Sequence, residues 1–280
     1  MTEKNMEYTQ QERNALLLYQ GCGVPTEIDA FYTQDSAYQT FNLLMMAGRQ
    51  GEYVRVCKER QCPKALYIRR WEKTMEVLTD LFSLQCKYAI RQKLAGKPLP
   101  NPLERGDRGL NFRLMQEAGG SFAFTSTSKD QVQDTFLVGK EDPHILHITL
   151  GEGVPYLDYE EYLGAAYSFD DEREVLLPPM VPMTCNKIWT EEFPYLGAVR
   201  HCAVRLEGFQ KPEEPVDEKA LTEFLRATAD EAAAGMADLV RRKQEADIFA
   251  REDHIYWQWK EAFRKLTLQR MCAIYDTYFE

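Results

Sequence analysis

Two glutamates stand two positions apart at the start of a short apolar strand in the segment Phe169-Asp170-Asp171-Glu172-Arg173-Glu174-Val175-Leu176-Leu177-Pro178-Pro179. Side chains alternate along an extended strand, so Glu172 and Glu174 are predicted to point to the same side. Like charges held this close raise the pKa of at least one carboxyl group unless a cation or hydrogen-bond donors lie between them. That combination is typical of an acid/base or cation-stabilising site, although a solvated strand edge carries the same pattern.

The composition is that of an ordinary globular protein, and the 280 residues suggest about two domains. A formal net charge of −10 argues against binding to nucleic acid phosphates or to an anionic membrane. The apolar run at 15–19 is too short for a signal peptide or a membrane span. The seven cysteines lack a Cys-x-x-Cys pair and are interpreted as mostly free thiols of a reducing, cytoplasmic compartment.

Hydrophobic periodicity divides the chain into three regions, which together predict an α+β protein. Residues 1–99 form a helical region predicted to pack on the core, with helices over 37–47 and 64–95. Residues 100–212 form a strand-rich core, with strands over 121–128, 144–150, 174–177 and 198–206. Residues 213–280 form a second helical region, whose aromatic residues, including Trp257 and Trp259, are predicted to be buried rather than to bind a partner helix.

Two further motifs precede the glutamates. Hydroxyl side chains cluster at Thr125-Ser126-Thr127-Ser128, where they can bind a ligand or orient a carboxylate. Upstream, Arg105 is followed by Gly106, and an arginine fork beside a glycine suits close recognition of a phosphate or carboxylate. Each motif alone is also consistent with an ordinary turn or a solvated loop.

In this order, the Arg-Gly pair, Phe124-Thr125-Ser126-Thr127-Ser128 and Glu172-Arg173-Glu174-Val175-Leu176-Leu177-Pro178 resemble the mono-ADP-ribosyltransferases of the Arg-Ser-Glu class, which include bacterial toxins and effectors. The resemblance covers about a third of the chain, from Leu103 to Leu206. It implies an ADP-ribosyltransferase fold of two packed, mainly antiparallel sheets flanked by N- and C-terminal helices. It also implies NAD as substrate without a metal ion, and a protein acceptor that is most often modified on arginine. For an effector, this acceptor is a host protein.

By the same resemblance, Glu174 stabilises the ribosyl cation and Glu172 activates or orients the acceptor. Ser126 hydrogen-bonds Glu174 and holds the ribose, and Thr127 and Ser128 support this strand. Arg105 is implied to clamp the NAD phosphates, and Gly106 to bring a backbone amide to the nicotinamide. The acceptor is implied to meet the turn that contains Tyr167, Ser168 and Phe169.

The assignment of the arginine leaves alternatives open. Glu104 precedes Arg105 where the family usually has an apolar or aromatic residue, and Pro98, Pro100 and Pro102 make the approach poor for a central strand. Arg108, which is followed by Gly109, is the second candidate. Arg70 is the third, in surroundings with a helical pattern.

The histidines and the remaining cysteine pattern offer weaker candidate sites. His144 and His147 are three residues apart, on opposite faces of a strand, and are interpreted as structural or surface residues rather than metal ligands. His201 and Cys202 show no partner pattern for a nucleophile. The alternatives to ADP-ribose transfer are an NAD glycohydrolase and a catalytically inactive helical interaction protein. A transferase of this type is expected to be cytoplasmic, or secreted as an effector without a classical signal peptide.

Overall fold

The computed structural model describes residues 6–20, 37–46, 64–121, 123–132, 136–164, 173–211, 216–241 and 254–280. These residues divide into two compact units. The first comprises the described residues of Met1–Leu84 and Lys211–Tyr278 with Glu280, and the second those of Gln85–Gln210 with Phe279. The units divide at 84/85 and 210/211, whereas the predicted regions divide at 99/100 and 212/213. The second boundary differs by two residues and the first by fifteen.

The first unit is helical. Met75, Leu78 and Phe82 recur at steps of three and four and are fully buried, which gives the long helix there one apolar stripe. Trp259 stacks on Phe263 with ring centroids 5.2 Å apart. The helices with residues in this unit are α1 (Gln10–Gln20), α2 (Ala37–Met45), α3 (Lys64–Arg69), α4 (Trp71–Leu94), α7 (Glu218–Arg241) and α8 (Ile255–Phe279).

Helices α1 to α4, α7 and α8 lie in the two regions predicted to be helical, with one difference in where a helix is interrupted. Trp257 and Trp259 are buried, so the aromatic residues of α8 are core residues, as predicted. The single helix predicted over 64–95 is instead two helices separated at Arg70. At this break the Thr74 hydroxyl donates to the carbonyl of Tyr67 at 3.1 Å, which satisfies a backbone acceptor that the interrupted helix leaves open.

The second unit contains a seven-stranded sheet among its described residues, in the order β4-β5-β2-β1-β3-β7-β6. Neighbouring strands are antiparallel except for β3 and β7, which are parallel. The elements are β1 (Leu103–Arg108), α5 (Gly109–Ala118), β2 (Thr125–Ser128), β3 (Pro143–Leu150), β4 (Leu157–Asp158), α6 (Tyr159–Leu163), β5 (Glu174–Leu177), β6 (Met183–Phe193) and β7 (Gly197–Leu206). The α+β class, with helices before and after the sheet in the chain, is confirmed.

The sheet is nearly divided at the seam between β1 and β2. In the described ranges these two strands are joined by one residue pair, Glu104 opposite Ser128, whereas β1 pairs with β3 from Leu103 to Arg108. Two packed, mainly antiparallel sheets were predicted, and in the described residues one residue pair joins two such parts into one hydrogen-bonded sheet. A ladder of three strands and a ladder of four meet at this seam.

The prediction that the segment after Pro102 is a poor central strand is wrong. β1 lies in the middle of the sheet, between β2 and β3. Its prolines all precede Leu103, where the strand begins, so none removes a ladder N–H group from β1. β6 was not predicted, because most of its side chains are exposed and carry no apolar alternation.

No helix in these described ranges combines the length and the apolar composition needed to cross a bilayer. The four cysteines that the structure describes, Cys86, Cys185, Cys202 and Cys272, are free thiols. The interpretation of the cysteines as mostly free is confirmed for these four positions.

Replacing Thr127 by valine is expected to lower the free energy of unfolding by about 1 kcal/mol. The buried Thr127 hydroxyl donates to the carbonyl of Val175 at 2.7 Å and so ties β2 to β5. Valine keeps the volume but removes this donor. Urea unfolding of Thr127→Val measures the loss, and Thr190→Val, at an exposed position of β6, is the matched control. Equal stability of the two variants would contradict this role of the hydroxyl.

Candidate functional site

A cavity of about 290 Å³ lies at the seam between β1 and β2. Its wall includes both sides of the seam and the start of β5. All six residues predicted to bind the cofactor line it: Arg105, Gly106, Ser126, Thr127, Ser128 and Glu174. Residues that are far apart in the sequence thus meet at one cavity, whose volume is close to the lower end of the usual range for ligand pockets.

Arg105 spans the opening where β1 and β2 separate. Its Nη1 donates to the carbonyl oxygen of Ser126 at 2.7 Å, and its Nε donates to Oδ2 of Asp107 at 2.9 Å. The side chain is 26% exposed. The guanidinium is therefore fixed at the cavity wall by two partners.

Asp107 is the buried anchor of this arrangement. Besides Arg105, its carboxylate accepts from the backbone N–H of Arg108 at 2.8 Å and from Nδ2 of Asn111 at 2.6 Å. Burial by itself raises the pKa of a carboxyl group, but the Arg105 charge and these hydrogen bonds hold the pKa of Asp107 below its ordinary value. Asp107 is therefore negatively charged at neutral pH and orients Arg105.

The two other arginine candidates lie elsewhere. Arg108 is on β1 but is not among the described residues that line the cavity, and Gly109 after it has a packing role. A Cβ atom on Gly109 would lie 2.1 Å from Oδ2 of Asp142 and 2.8 Å from Cε1 of His144. Arg70 belongs to the helical unit.

Gly106 is covered by the segment that follows β2. A Cβ atom at this position would lie 2.9 Å from Cγ1 of Val132 and 3.0 Å from Cδ2 of Leu137. Nζ of Lys140 donates to the Gly106 carbonyl at 2.5 Å. The glycine thus permits this segment to pack directly on β1, and its implied contact with nicotinamide stays a prediction.

Ser126, Ser128 and Glu174 share one face of the sheet. Ser128 lies directly opposite Glu174 in the β2–β5 ladder, and Ser126 lies opposite Leu176, one same-face step away. Glu174 is half-buried at the first position of β5. The register places Ser128, rather than Ser126, beside Glu174, and the implied hydrogen bond between Ser126 and Glu174 stays a prediction.

Ion pairs fix the position where β5 begins. Arg173 has a left-handed backbone, with φ of 38°, and its guanidinium contacts Asp130 at 3.0 Å and Glu160 at 3.4 Å. Lys129 contacts Glu160 and Asp158, each at 2.8 Å. This network links the residue before Glu174 to the end of β2.

Sequence reasoning missed half of the described residues that line the cavity: Glu104, Asp130, Gln131, Val132, Phe136 and Lys140. Most of them follow the Ser-Thr-Ser motif, and their proximity to it is the one signal that could have drawn attention to them. Lys140 adds a second cation beside Arg105. Its pKa is lowered, first by burial, and the charges of Arg105 and Arg108 act in the same direction against that of Asp107.

A polar chain leads from the cavity across the sheet. Nδ1 of His147 contacts Oε1 of Glu104 at 3.0 Å, and Nε2 of His147 contacts Nδ1 of His201 at 2.9 Å. Nε2 of His201 lies 3.8 Å from Oε2 of Glu191, and Trp189 stacks on both imidazole rings. His147, which was interpreted as a structural or surface residue, joins Glu104 to a second histidine.

The remaining sequence-predicted positions give no further site. Glu172, Tyr167, Ser168 and Phe169 lie outside the described residues, so their predicted roles with the acceptor stay predictions. Burial raises the pKa of Cys202 to about 12, which keeps this thiol protonated. Within the described ranges, no group of three or more histidine, cysteine, aspartate or glutamate side chains could hold a metal ion.

Comparison of the chain with known protein families and with curated proteins gives no match. Among solved structures, it is similar to the enzymatic component C2-I of the C2-toxin from Clostridium botulinum. The structure at pH 3.0 is 16% identical, with a TM-score of 0.37 over 63% of this chain and 46% of that chain, and a mutant form gives the same values. The structure at pH 6.1 is also 16% identical, with a TM-score of 0.35 over 61% and 46%. The chain spans less than half the length of these structures.

Replacing Asp107 by asparagine is expected to lower the free energy of unfolding by about 1.5–3 kcal/mol at neutral pH. The amide puts a donor where the carboxylate accepts from Arg105, Arg108 and Asn111. Because the folded state lowers the pKa of Asp107, its contribution is present above the ordinary value of 3.8 and is lost as the pH falls through the folded-state pKa.

Urea unfolding between pH 7 and pH 3 measures this effect. The difference between wild type and Asp107→Asn is expected to shrink towards acid pH, whereas Glu192→Gln, at an exposed carboxylate of β6, changes little. A difference that stayed constant over this pH range would exclude ionised Asp107 as its cause.

Proposed function

We propose that this protein transfers ADP-ribose from NAD to a protein acceptor and releases nicotinamide. The observation that carries this proposal is the meeting of Arg105, Ser126 and Glu174 at one cavity. They are the residues that the sequence resemblance assigns to phosphate binding, ribose binding and cation stabilisation. Their convergence from three strands supports a common ligand.

The charges of the cavity suit the two ends of such a ligand. Arg105 and Lys140 offer cations for the diphosphate, and Arg105 is held with its guanidinium already oriented. Glu174 offers a carboxylate for the ribose. When the bond between ribose and nicotinamide breaks, its electrons leave with nicotinamide and positive charge develops on the ribose, so a nearby carboxylate lowers the barrier.

Arginine is the proposed acceptor residue, because a glutamate two positions before the catalytic glutamate goes with arginine acceptors in the family that the sequence resembles. The same proposal includes the ADP-ribosyltransferase fold and an acceptor in a host cell, which the protein would reach by secretion as an effector.

Burial of Trp257 and Trp259 does not favour the alternative in which these side chains bind a partner.

Replacing Glu174 by glutamine is expected to lower kcat for nicotinamide release by about 10²–10³-fold with little change in the KM for NAD. Glutamine keeps the shape of the side chain but removes the charge that stabilises the ribosyl cation. Nicotinamide release from labelled NAD, with and without a lysate as acceptor, measures this effect. A wild-type protein that leaves NAD unchanged, or a Glu174→Gln variant with full activity, would refute the proposed function.

Replacing Arg105 by alanine is expected to raise the KM for NAD by about 10–100-fold, the effect of losing a charged hydrogen-bonding partner of the diphosphate. Arg108→Ala is the matched control on the same strand, and it is expected to keep a KM close to that of the wild type. Steady-state kinetics of both variants, with melting temperatures to confirm folding, measure the effect. The opposite result would assign the phosphate contact to Arg108.

A further inference from the structure

Glu104 is a second carboxylate at the cavity, and the sequence resemblance gives it no role. It lines the cavity together with Glu174, at a position where the family usually has an apolar or aromatic residue. Its side chain is 18% exposed, so it is shielded but still accessible from the cavity. A charged side chain at such a position in the sheet calls for an explanation.

The sheet register sets Glu104 and Glu174 on the same face, on either side of Ser128. Glu104 lies opposite Ser128 in one ladder, and Ser128 lies opposite Glu174 in the next. Directly opposed residues of antiparallel strands project to the same face. Two strand spacings put the Cα atoms of the two glutamates about 9–10 Å apart, and both side chains line the same cavity.

Both carboxylate oxygens of Glu104 are held in place. Oε2 accepts from the backbone N–H of Val132 at 2.8 Å, and Oε1 contacts Nδ1 of His147 at 3.0 Å. Each carboxylate oxygen has a second lone pair. The carboxylate is therefore oriented and still able to accept a proton from a molecule in the cavity.

The histidine pair behind Glu104 leads away from the cavity. His147 contacts His201, whose ring is buried and whose Nε2 has no hydrogen-bond partner among the described residues. A charged group, the carboxylate of Glu191, lies near that nitrogen: its Oε2 is 3.8 Å from Nε2 of His201. Because an ionised carboxylate only accepts, Nδ1–H of His147 donates to Glu104, and Nε2 of His147 in turn accepts from Nδ1–H of His201.

We propose that Glu104 is the general base that takes the proton from an attacking water molecule, and that His147 and His201 are positioning residues that hold its carboxylate in place. This proposal rests on the proposed function of the same cavity. It predicts that water is a competent acceptor, so that the protein also hydrolyses NAD to ADP-ribose and nicotinamide.

Nicotinamide leaves as a neutral molecule with both electrons of the ribosyl bond, water forms the new bond to the ribose carbon, and its proton passes to Glu104. Glu104, whose side chain is 18% exposed, then releases this proton to solvent and returns to the carboxylate.

Azide provides the test, because it attacks as an anion and needs no base. Glu104→Ala and the isosteric Glu104→Gln are expected to lower kcat for NAD hydrolysis by about 10²–10⁴-fold, with a small change in the KM for NAD. Added azide is expected to restore nicotinamide release in Glu104→Ala and to yield ADP-ribosyl azide. His147→Gln is expected to lower kcat with water and to leave the rate with azide unchanged.

Glu174→Gln separates the role of the base from that of the cation stabiliser, since it is expected to be slow with water and with azide alike. Full hydrolysis by folded Glu104→Gln would overturn the proposal and leave the proposed function standing. Loss of the azide reaction in both folded Glu104 variants would also overturn it, because Glu104 would then act on NAD or the cation. A wild type that releases no nicotinamide under any condition would refute the proposed function itself.

Discussion

The contact on which the cavity depends is the pair of hydrogen bonds made by Arg105 across the seam between β1 and β2. The two strands are joined by one residue pair and then separate. The guanidinium of Arg105 bridges the opening: its Nη1 donates to the Ser126 carbonyl, and its Nε donates to the carboxylate of Asp107. If β1 and β2 were paired along their whole length, no cavity would form here. If they separated without Arg105, backbone groups such as the Ser126 carbonyl would lose a hydrogen-bond partner.

The distribution of charge around this opening follows from the alternation of β1. Glu104 and Gly106 face one side of the sheet, and Arg105 and Asp107 face the other. Arg105 reaches the cavity because it passes through the seam itself, so a cation and a carboxylate from adjacent residues both line it. The segment that follows β2 covers Gly106 and adds Lys140. The wall of one small cavity thus carries the cations of Arg105 and Lys140 and the carboxylates of Glu104 and Glu174.

Much of the fold was predictable from local pattern. β5 begins at Glu174 and ends at Leu177, as its apolar run indicates, and β3 and β7 lie within one residue of the predicted strands. The seven-stranded order was not predictable, because strand pairing is set by contacts between residues distant in sequence. β1 was misjudged for a similar reason: the prolines before it are a local signal, whereas its central position follows from its pairing with β3.

By itself, the sequence determined the α+β class through its local periodicity, and its resemblance to a known family implied Arg105, Ser126 and Glu174 as a candidate set. The tertiary structure alone decided that these three line one cavity, that Ser128 rather than Ser126 faces Glu174, and that Glu104 joins them. His147 lies 43 residues from Glu104 and 54 from His201. No spacing rule connects side chains over such distances, because a shift of one residue in strand register turns each of them to the other face of the sheet.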